Sequence, residues 1–345
     1  MKIAFFDTKQ YDRQWFDAVD HPLYEFKYLE AKLNADTAAL AKGCEGVVAF
    51  VNDVIDAETV DQLYAMGIKV IAMRCAGYNN IDFEATYGKI HAVRVPAYSP
   101  YAVAEYAVAL LLCMNRKIHK AYNRTREYNF TLNNLAGFDL HGKTIGVIGT
   151  GQIGKIFIQI CKGFGMNVIA YDKYPDLKTD IQYVELNQIF EESDIISLHC
   201  PLSDETHYMI NEESIHKMKD GVYIINTSRG PLIESQALLN ALKDKKIAGA
   251  ALDVYEEESD LFFEDCSNEI INDDILSLLV SMPNVLLTSH QAFLTKEALE
   301  NIAKTTIQNL NEFFEDKPLT NEICYKVKSH EVGKTCLEKP NGRCF

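Results

Sequence analysis

Three apolar, strand-like runs each end in residues that suit one reaction. Ile225-Asn-Thr-Ser-Arg-Gly-Pro231 presents Arg229, Ala251-Leu-Asp-Val-Tyr-Glu-Glu-Glu258 presents Asp253 and Glu258, and Leu287-Thr-Ser-His290 presents His290. The planar fork of an arginine grips a carboxylate through parallel bonds and polarises a neighbouring carbonyl. A histidine gives or takes a hydroxyl proton near neutrality. A glutamate hydrogen-bonded to that imidazole raises its pKa toward the working range. Together they form a natural set for oxidising a 2-hydroxy acid, or for the reverse reduction. Taken singly each has an ordinary reading: a structural ion pair, a solvated acidic run over Glu256–Glu258, and a capped loop histidine. What sets them apart is their company.

That company is Thr144-Ile-Gly-Val-Ile-Gly-Thr-Gly-Gln-Ile-Gly154. A short β-branched run leads into Gly149, Gly151 and Gly154, and a helix-like segment follows. In G-x-G-x-x-G spacing the first glycine permits the tight turn. The second lets backbone approach a pyrophosphate, and the third lets helix pack on strand. The helix N-terminus then offers free N–H groups to phosphates. A second apolar run, Met166-Asn-Val-Ile-Ala-Tyr171, ends in Asp172, 18 residues after Gly154. An acidic side chain there accepts hydrogen bonds from a ribose diol and repels a 2′-phosphate, which favours NAD over NADP.

These residues need a frame of strands and helices. Strand-like runs at 1–7, 24–29, 46–51 and 69–73 alternate with helical stretches at 11–18, 37–42 and 57–66. That alternation means a parallel, doubly wound sheet before the glycine loop is reached. Two loops stand out there, Arg74-Cys-Ala-Gly-Tyr-Asn-Asn80 and Val93-Arg-Val-Pro-Ala-Tyr-Ser-Pro100. Tyr101 to Arg116 reads as a long apolar helix whose alanines (102, 104, 107 and 109) suit close packing. From Gly142 the alternation resumes through 284–288. Thr295 to Phe314 is amphipathic and is expected to return to the first domain. The expected fold is therefore α/β, with a Rossmann dinucleotide-binding domain (101–295) inserted into a flavodoxin-like substrate domain (1–100 and 296–325), and a cleft between them. Residues 326–345 lose periodicity and are expected to form a flexible tail.

Composition narrows the class. The chain has 345 residues, enough for about two domains of ~150 residues. A net charge of -15 with no basic block argues against nucleic acid and anionic membranes. No run approaches 18 apolar residues, so no membrane span is expected. Nine cysteines, mostly within apolar patterns, read as reduced thiols of a cytoplasmic protein. No C-x-x-C pair exists, and His119, His141 and His199 lack metal-ligand spacing, so no metal is expected.

The residues resemble a known family, the D-isomer-specific 2-hydroxy acid dehydrogenases, and most of all its bacterial fermentative, NAD-dependent D-lactate branch. The likeness spans roughly residues 1–323. It rests on Arg74-Cys-Ala-Gly77, Val93–Pro100, Val147–Gly154, Asn226-Thr-Ser-Arg-Gly230, Leu252–Glu258, Leu261-Phe-Phe-Glu-Asp265 and Ser289-His-Gln-Ala-Phe293. The resemblance implies that Arg229, Glu258 and His290 are catalytic. It implies carboxylate binding by the backbone of Ala76 and Gly77, a pocket contact from Tyr98 and a pocket wall at Phe293. For NAD it implies Gln152 and Ile153 in the glycine loop, Asp172 on the ribose, and Cys200, Pro201 and Thr206 near the adenine. Thr227 and Ser228 join Arg229, and Asp253 orients the nicotinamide amide. It further implies D-stereochemistry, reduction of pyruvate to D-lactate with NADH, and a homo-oligomer, dimer or tetramer, built partly on the Tyr101 helix. Two alternatives remain at this stage: a larger 2-oxo acid such as phenylpyruvate, or a non-catalytic NADH-sensing protein on the same fold. Formate oxidation is disfavoured, because an acid–base Glu–His pair would then be idle.

Overall fold

The computed structural model describes residues 1–257, 261–323 and 342–345. Two compact units emerge, Met1–Ser99 with Thr295–Phe345, and Pro100–Leu294. Each junction falls one residue earlier than expected.

The first unit opens with β1 (Lys2–Phe5), α1 (Gln10–Phe16), β2 (Glu25–Tyr28), β3 (Gly46–Ala49), α2 (Ala57–Ala65), β4 (Val70–Met73), α3 (Phe83–Thr86) and β5 (His91–Val93). The stretch expected as a short helix near 37–42 is a 3-10 turn, Ala38–Ala41. The five strands pair in parallel in the order β2-β1-β3-β4-β5. β3 and β4 are buried at every position, as a parallel sheet covered on both faces demands. Each Ile or Val so buried contributes about 1.5–3 kcal/mol. α2 starts where the Asp56 carboxylate accepts from Thr59 N at 2.9 Å, which is a strong N-cap.

The strand order reverses between β1 and β3, the place where open α/β sheets usually leave a crevice. Here Arg74, the residue after β4, fills it and is only 2% exposed. Its guanidinium stands 4.0 Å from the Phe50 ring centroid and 5.4 Å from that of Phe5. It donates to Asp7 O at 2.6 Å and lies 3.4 Å from the Asp12 carboxylate. A buried cation is tolerable only with such partners.

The second unit contains α4 (Pro100–Arg116), α5 (Ile118–Arg126), β6 (Thr144–Ile148), α6 (Gln152–Gly163), β7 (Asn167–Tyr171), α7 (Leu186–Glu192), β8 (Ile195–Leu198), α8 (Glu212–Lys217), β9 (Val222–Asn226), α9 (Ser235–Lys243), β10 (Ile247–Leu252), α10 (Asp274–Ser281) and β11 (Val285–Leu287). Its six parallel strands run β11-β10-β9-β8-β6-β7. Alternate strand residues feed two cores. Ile145, Val147, Ile195, Ile225 and Ala251 pack with Phe157 and Ile158 of α6 and Ala104, Ala107 and Leu111 of α4. Ile148, Ile196, Leu198, Ile224 and Leu252 pack on the other face with Ile189, Ile215, Leu238 and Leu279. The small residues of α4 let it lie against α6, although Ala109 is exposed.

The chain then returns to the first unit as α11 (Lys296–Phe314), capped by Thr295 Oγ1 on Ala298 N at 3.2 Å. α11 packs on α1 and β4 through Leu299, Ile302, Ala303, Ile307 and Leu310. Residues 324–341, which include 326–341 of the expected tail, lie outside the described residues. The last four correct the expectation of a loose end. Arg343 donates to the carbonyls of Glu312 and Phe313, Cys344 is buried with its N–H on Glu322, and the Phe345 ring stacks on His91 at 4.1 Å.

Candidate active site

The glycine loop leaves β6 where the second sheet reverses its order, between β7 and β8. Gly149 adopts φ 95°, and a Cβ there would lie 2.6 Å from Cys200 N. At Gly154 a Cβ would lie 2.0 Å from Gly149 O, so α6 sits directly on the strand end. Above Gly151, in contrast, a Cβ would meet nothing within 4 Å. Gly151 is the N-cap of α6 and carries no side-chain cap. Gln152 is exposed and Ile153 half-buried in this first turn. An uncapped twelve-residue helix beneath open space is a ready anion site. Thr150, which sequence reasoning passed over, ties the loop to β7. Its N–H and its hydroxyl both donate to Asp172 Oδ2, at 2.6 and 3.0 Å, and Tyr174 N donates to Oδ1 at 2.8 Å. A carboxylate offers roughly four acceptor positions, so Asp172 keeps room for a ribose hydroxyl. The clue was a hydroxyl residue inside the glycine turn.

The loop after β8 closes on itself. The Thr206 hydroxyl donates to Pro201 O at 2.7 Å and accepts from Ser203 N at 2.8 Å. Burial pushes the Cys200 thiol up to about 12, so it stays protonated and inert. The preceding His199 is half-buried with its Nε2 2.8 Å from Ser197 Oγ, and desolvation pushes its pKa down to about 3.

After β9 come Thr227, Ser228 and Arg229. Thr227 Oγ1 is buried with no hydrogen-bond partner, a rare condition unless a bound group completes it. The Ser228 hydroxyl donates to Cys200 O at 2.6 Å. Arg229 is half-buried. Its Nη1 donates to Ser228 O at 2.7 Å, and among the described residues no carboxylate pairs with it. Most of its five donors are therefore available for an anion. Gly230 is forced: a Cβ would fall 1.8 Å from Tyr255 O, so this turn abuts the loop after β10.

That loop holds Asp253, wholly buried. Its Oδ1 accepts from Thr288 Oγ1 at 2.6 Å and Gln291 N at 3.0 Å, and its Oδ2 from Ala292 N at 2.8 Å. Burial pushes its carboxyl up while these bonds hold it down. Its carbonyl accepts from His290 N at 2.7 Å. His290 has φ 51°, a left-handed backbone that is costly for a non-glycine residue. Asp253 thus brackets the segment that presents the imidazole, a role that sequence reasoning missed because its partners lie far along the chain. The His290 ring stands 5.9 Å from that of Phe263, and Phe293 is buried. Glu258 lies outside the described residues. Its neighbour Glu256 is structural, accepting from Tyr208 Oη and Ser235 N.

In the first unit, the loop after β4 has an informative bonding pattern. Cys75 O accepts from Val95 N at 3.2 Å, and Gly77 O from the Cys75 thiol at 3.2 Å. The N–H groups of Ala76 and Gly77 meet no acceptor among the described residues. Adjacent free amides of this kind attract anions. Tyr98 is half-buried, and its carbonyl accepts from Asn301 at 2.7 Å.

The residues present fit a dinucleotide: an orphaned hydroxyl on Thr227, an uncapped helix start under open space, and an acceptor at Asp172. The comparisons with known proteins agree. The sequence model of one family, D-isomer specific 2-hydroxyacid dehydrogenase, NAD binding domain, matches residues 108–292. The chain is 48% identical to D-lactate dehydrogenase of Escherichia coli K12 over 328 residues, 94% of this chain and all of that one. Its structure is similar to the pyruvate reductase of Chlamydomonas reinhardtii, with TM-score 0.88 and 43% identity, covering 93% of this chain and 98% of that one. It is also similar to the NAD-complexed D-isomer specific 2-hydroxyacid dehydrogenase of Lactobacillus delbrueckii ssp. bulgaricus, with TM-score 0.76 and 30% identity, covering 94% and 100%.

Proposed function

This chain belongs to the D-isomer specific 2-hydroxyacid dehydrogenases, and from that premise we propose that it reduces pyruvate to D-lactate, acting as an NAD-dependent D-lactate dehydrogenase. It is an NAD-dependent oxidoreductase of D-2-hydroxy acids. The substrate follows from its similarity to D-lactate dehydrogenase of E. coli and to the pyruvate reductase of C. reinhardtii. The observation that carries the mechanism is Arg229, a half-buried guanidinium with no carboxylate partner among the described residues.

In this reading the α6 N-terminus takes the pyrophosphate, Asp172 a ribose hydroxyl, and Thr227 Oγ1 a polar group of the cofactor. Gln152, Ile153, Cys200, Pro201, Thr206 and Ser228 shape its bed. When bound, NADH supplies the hydride for the keto carbon. Arg229 binds the substrate carboxylate and stabilises negative charge growing on the carbonyl oxygen. His290 delivers a proton to that oxygen, and Glu258 accepts a hydrogen bond from the imidazole. Asp253 holds the His290 segment and orients the nicotinamide amide. The N–H groups of Ala76 and Gly77 donate to a substrate carboxylate, Tyr98 contacts the substrate, and Phe293 is a wall of its pocket.

We also propose a homo-oligomer, a dimer or tetramer, working in the cytoplasm. Ile118 and Tyr122 of α5 are 56% and 58% exposed, and Tyr128, Phe130 and Leu132 follow at 70–85%, a run that invites a partner. No helix among the described residues is long and apolar enough to cross a membrane.

The decisive assay follows NADH absorbance with a panel of 2-oxo acids, then resolves the product on a chiral column. Pyruvate turnover to the D-isomer is the expected result. Consumption only with bulky oxo acids would move the substrate assignment, and no turnover with any would end the catalytic reading.

A further inference from the structure

In the loop after β4 the carbonyl between those of Cys75 and Gly77 is held by a cation. Ala76 O accepts from Arg94 Nη1 at 2.8 Å. Arg94 follows β5, and its position is fixed from several sides. Its backbone N–H donates to Asn321 O at 3.1 Å, its carbonyl accepts from Asn309 Nδ2 at 2.8 Å, and its guanidinium lies 4.8 Å from the Tyr78 ring centroid. No carboxylate among the described residues pairs with it.

Ala76 O and Gly77 N–H are the two ends of one peptide group, joined by resonance. A cation donating to the oxygen deepens the dipole of that peptide. The N–H at the other end then becomes a stronger donor, as hydrogen bonds in chains polarise one another. The same bond fixes the plane of the peptide, and with it the direction in which Gly77 N–H points. We propose that Arg94 is a positioning residue for the substrate carboxylate, acting through the Ala76–Gly77 peptide without touching the substrate. This inference rests on the reading that Ala76 and Gly77 bind that carboxylate. Lysine is a poor substitute, because one compact ammonium cannot bond the carbonyl and also hold a planar cation over the Tyr78 ring.

The experiment compares the full-length wild type with Arg94→Met and Arg94→Lys. It measures KM and kcat for pyruvate, inhibition by oxamate (an unreactive isostere of pyruvate), NADH affinity by fluorescence titration, and Tm. Arg94→Met is expected to raise KM and the oxamate inhibition constant together by about tenfold, with kcat changed by less than about threefold. NADH affinity stays at the wild-type value, and Arg94→Lys recovers part of the loss. Should Arg94→Met fail to fold, Arg94→Lys carries the test with a rise of about threefold. KM and oxamate inhibition within about twofold of wild type would overturn the role of Arg94. So would a loss of NADH affinity and Tm in proportion to the rise in KM, because that pattern marks a merely structural residue. A wild type that turns over pyruvate yet is indifferent to oxamate would instead remove the carboxylate reading beneath it.

Discussion

At the scale of single residues, the chemistry depends on groups whose bonding is either conspicuously incomplete or fully committed. Arg229 belongs to the first kind. Replacing it by glutamine keeps a planar donor group but shortens the side chain and removes the charge, and kcat/KM should fall by well over tenfold, where tenfold corresponds to about 1.4 kcal/mol. A variant retaining more than about a tenth of wild-type kcat/KM would sink the mechanism. His199 belongs to the second kind, and it sets a pH dependence of stability. Its folded pKa of about 3 lies below the ordinary histidine value of 6.5. The unfolded chain therefore binds a proton that the folded chain refuses, and stability held above about 6.5 is lost as pH falls toward 3. The slope is about 1.4 kcal/mol per pH unit for one proton. Asp53 pulls the other way, since burial pushes its carboxyl up to about 7, and its contribution falls as pH rises from about 4 to 7. Urea unfolding of His199→Gln at pH 5 and pH 7 should show less acid sensitivity than wild type. An identical difference between the two pH values would contradict it.

At the scale of elements, the glycine loop is a junction of three strand ends, and at Gly149 and Gly154 it leaves no room for a methyl group. Gly154→Ala would place a carbon 2.0 Å from Gly149 O, so α6 must lift from β6. The expected result is a fall in NADH affinity of at least about tenfold, read by fluorescence titration, with a lowered Tm. An affinity within about twofold of wild type would refute this account of the junction. This loop was legible in the sequence because everything that makes it is local: a β-branched run, three glycines and an apolar helix. Arg229, Asp253 and His290 were legible for a similar reason, as each follows an apolar strand directly. What could not be read is how distant groups are used. Arg74 looks like a loop residue until Asp7 and Asp12, more than sixty positions earlier, are seen beside it. Asp253 was expected to orient the nicotinamide amide; that its two oxygens also serve Thr288, Gln291 and Ala292 could not be read from its neighbours in sequence. The last four residues lack periodicity, and their anchors, His91 and Glu322, are invisible to it.

At the scale of the whole molecule, two units with separate cores should report ligand binding separately. The single tryptophan, Trp15, lies in α1 of the first unit. NADH at about a hundred times its Kd stabilises the unit that binds it by about 2.7 kcal/mol. Calorimetry should therefore show one transition raised by several degrees, while the unfolding seen by Trp15 fluorescence moves much less. Equal shifts of both signals would place the cofactor's effect on the first unit as well. The inserted arrangement also has a consequence for synthesis on the ribosome. The second unit is one continuous stretch and has all its strands once residue 294 has emerged. The first has its five strands by residue 93, but α11, which covers β4 and α1, is complete only at residue 314. At about 5–20 residues per second, that sheet waits some 10–40 s with an apolar face uncovered. The nascent first unit is therefore the part of this enzyme that most needs chaperone protection, and slow translation of the segment between would lengthen its exposure.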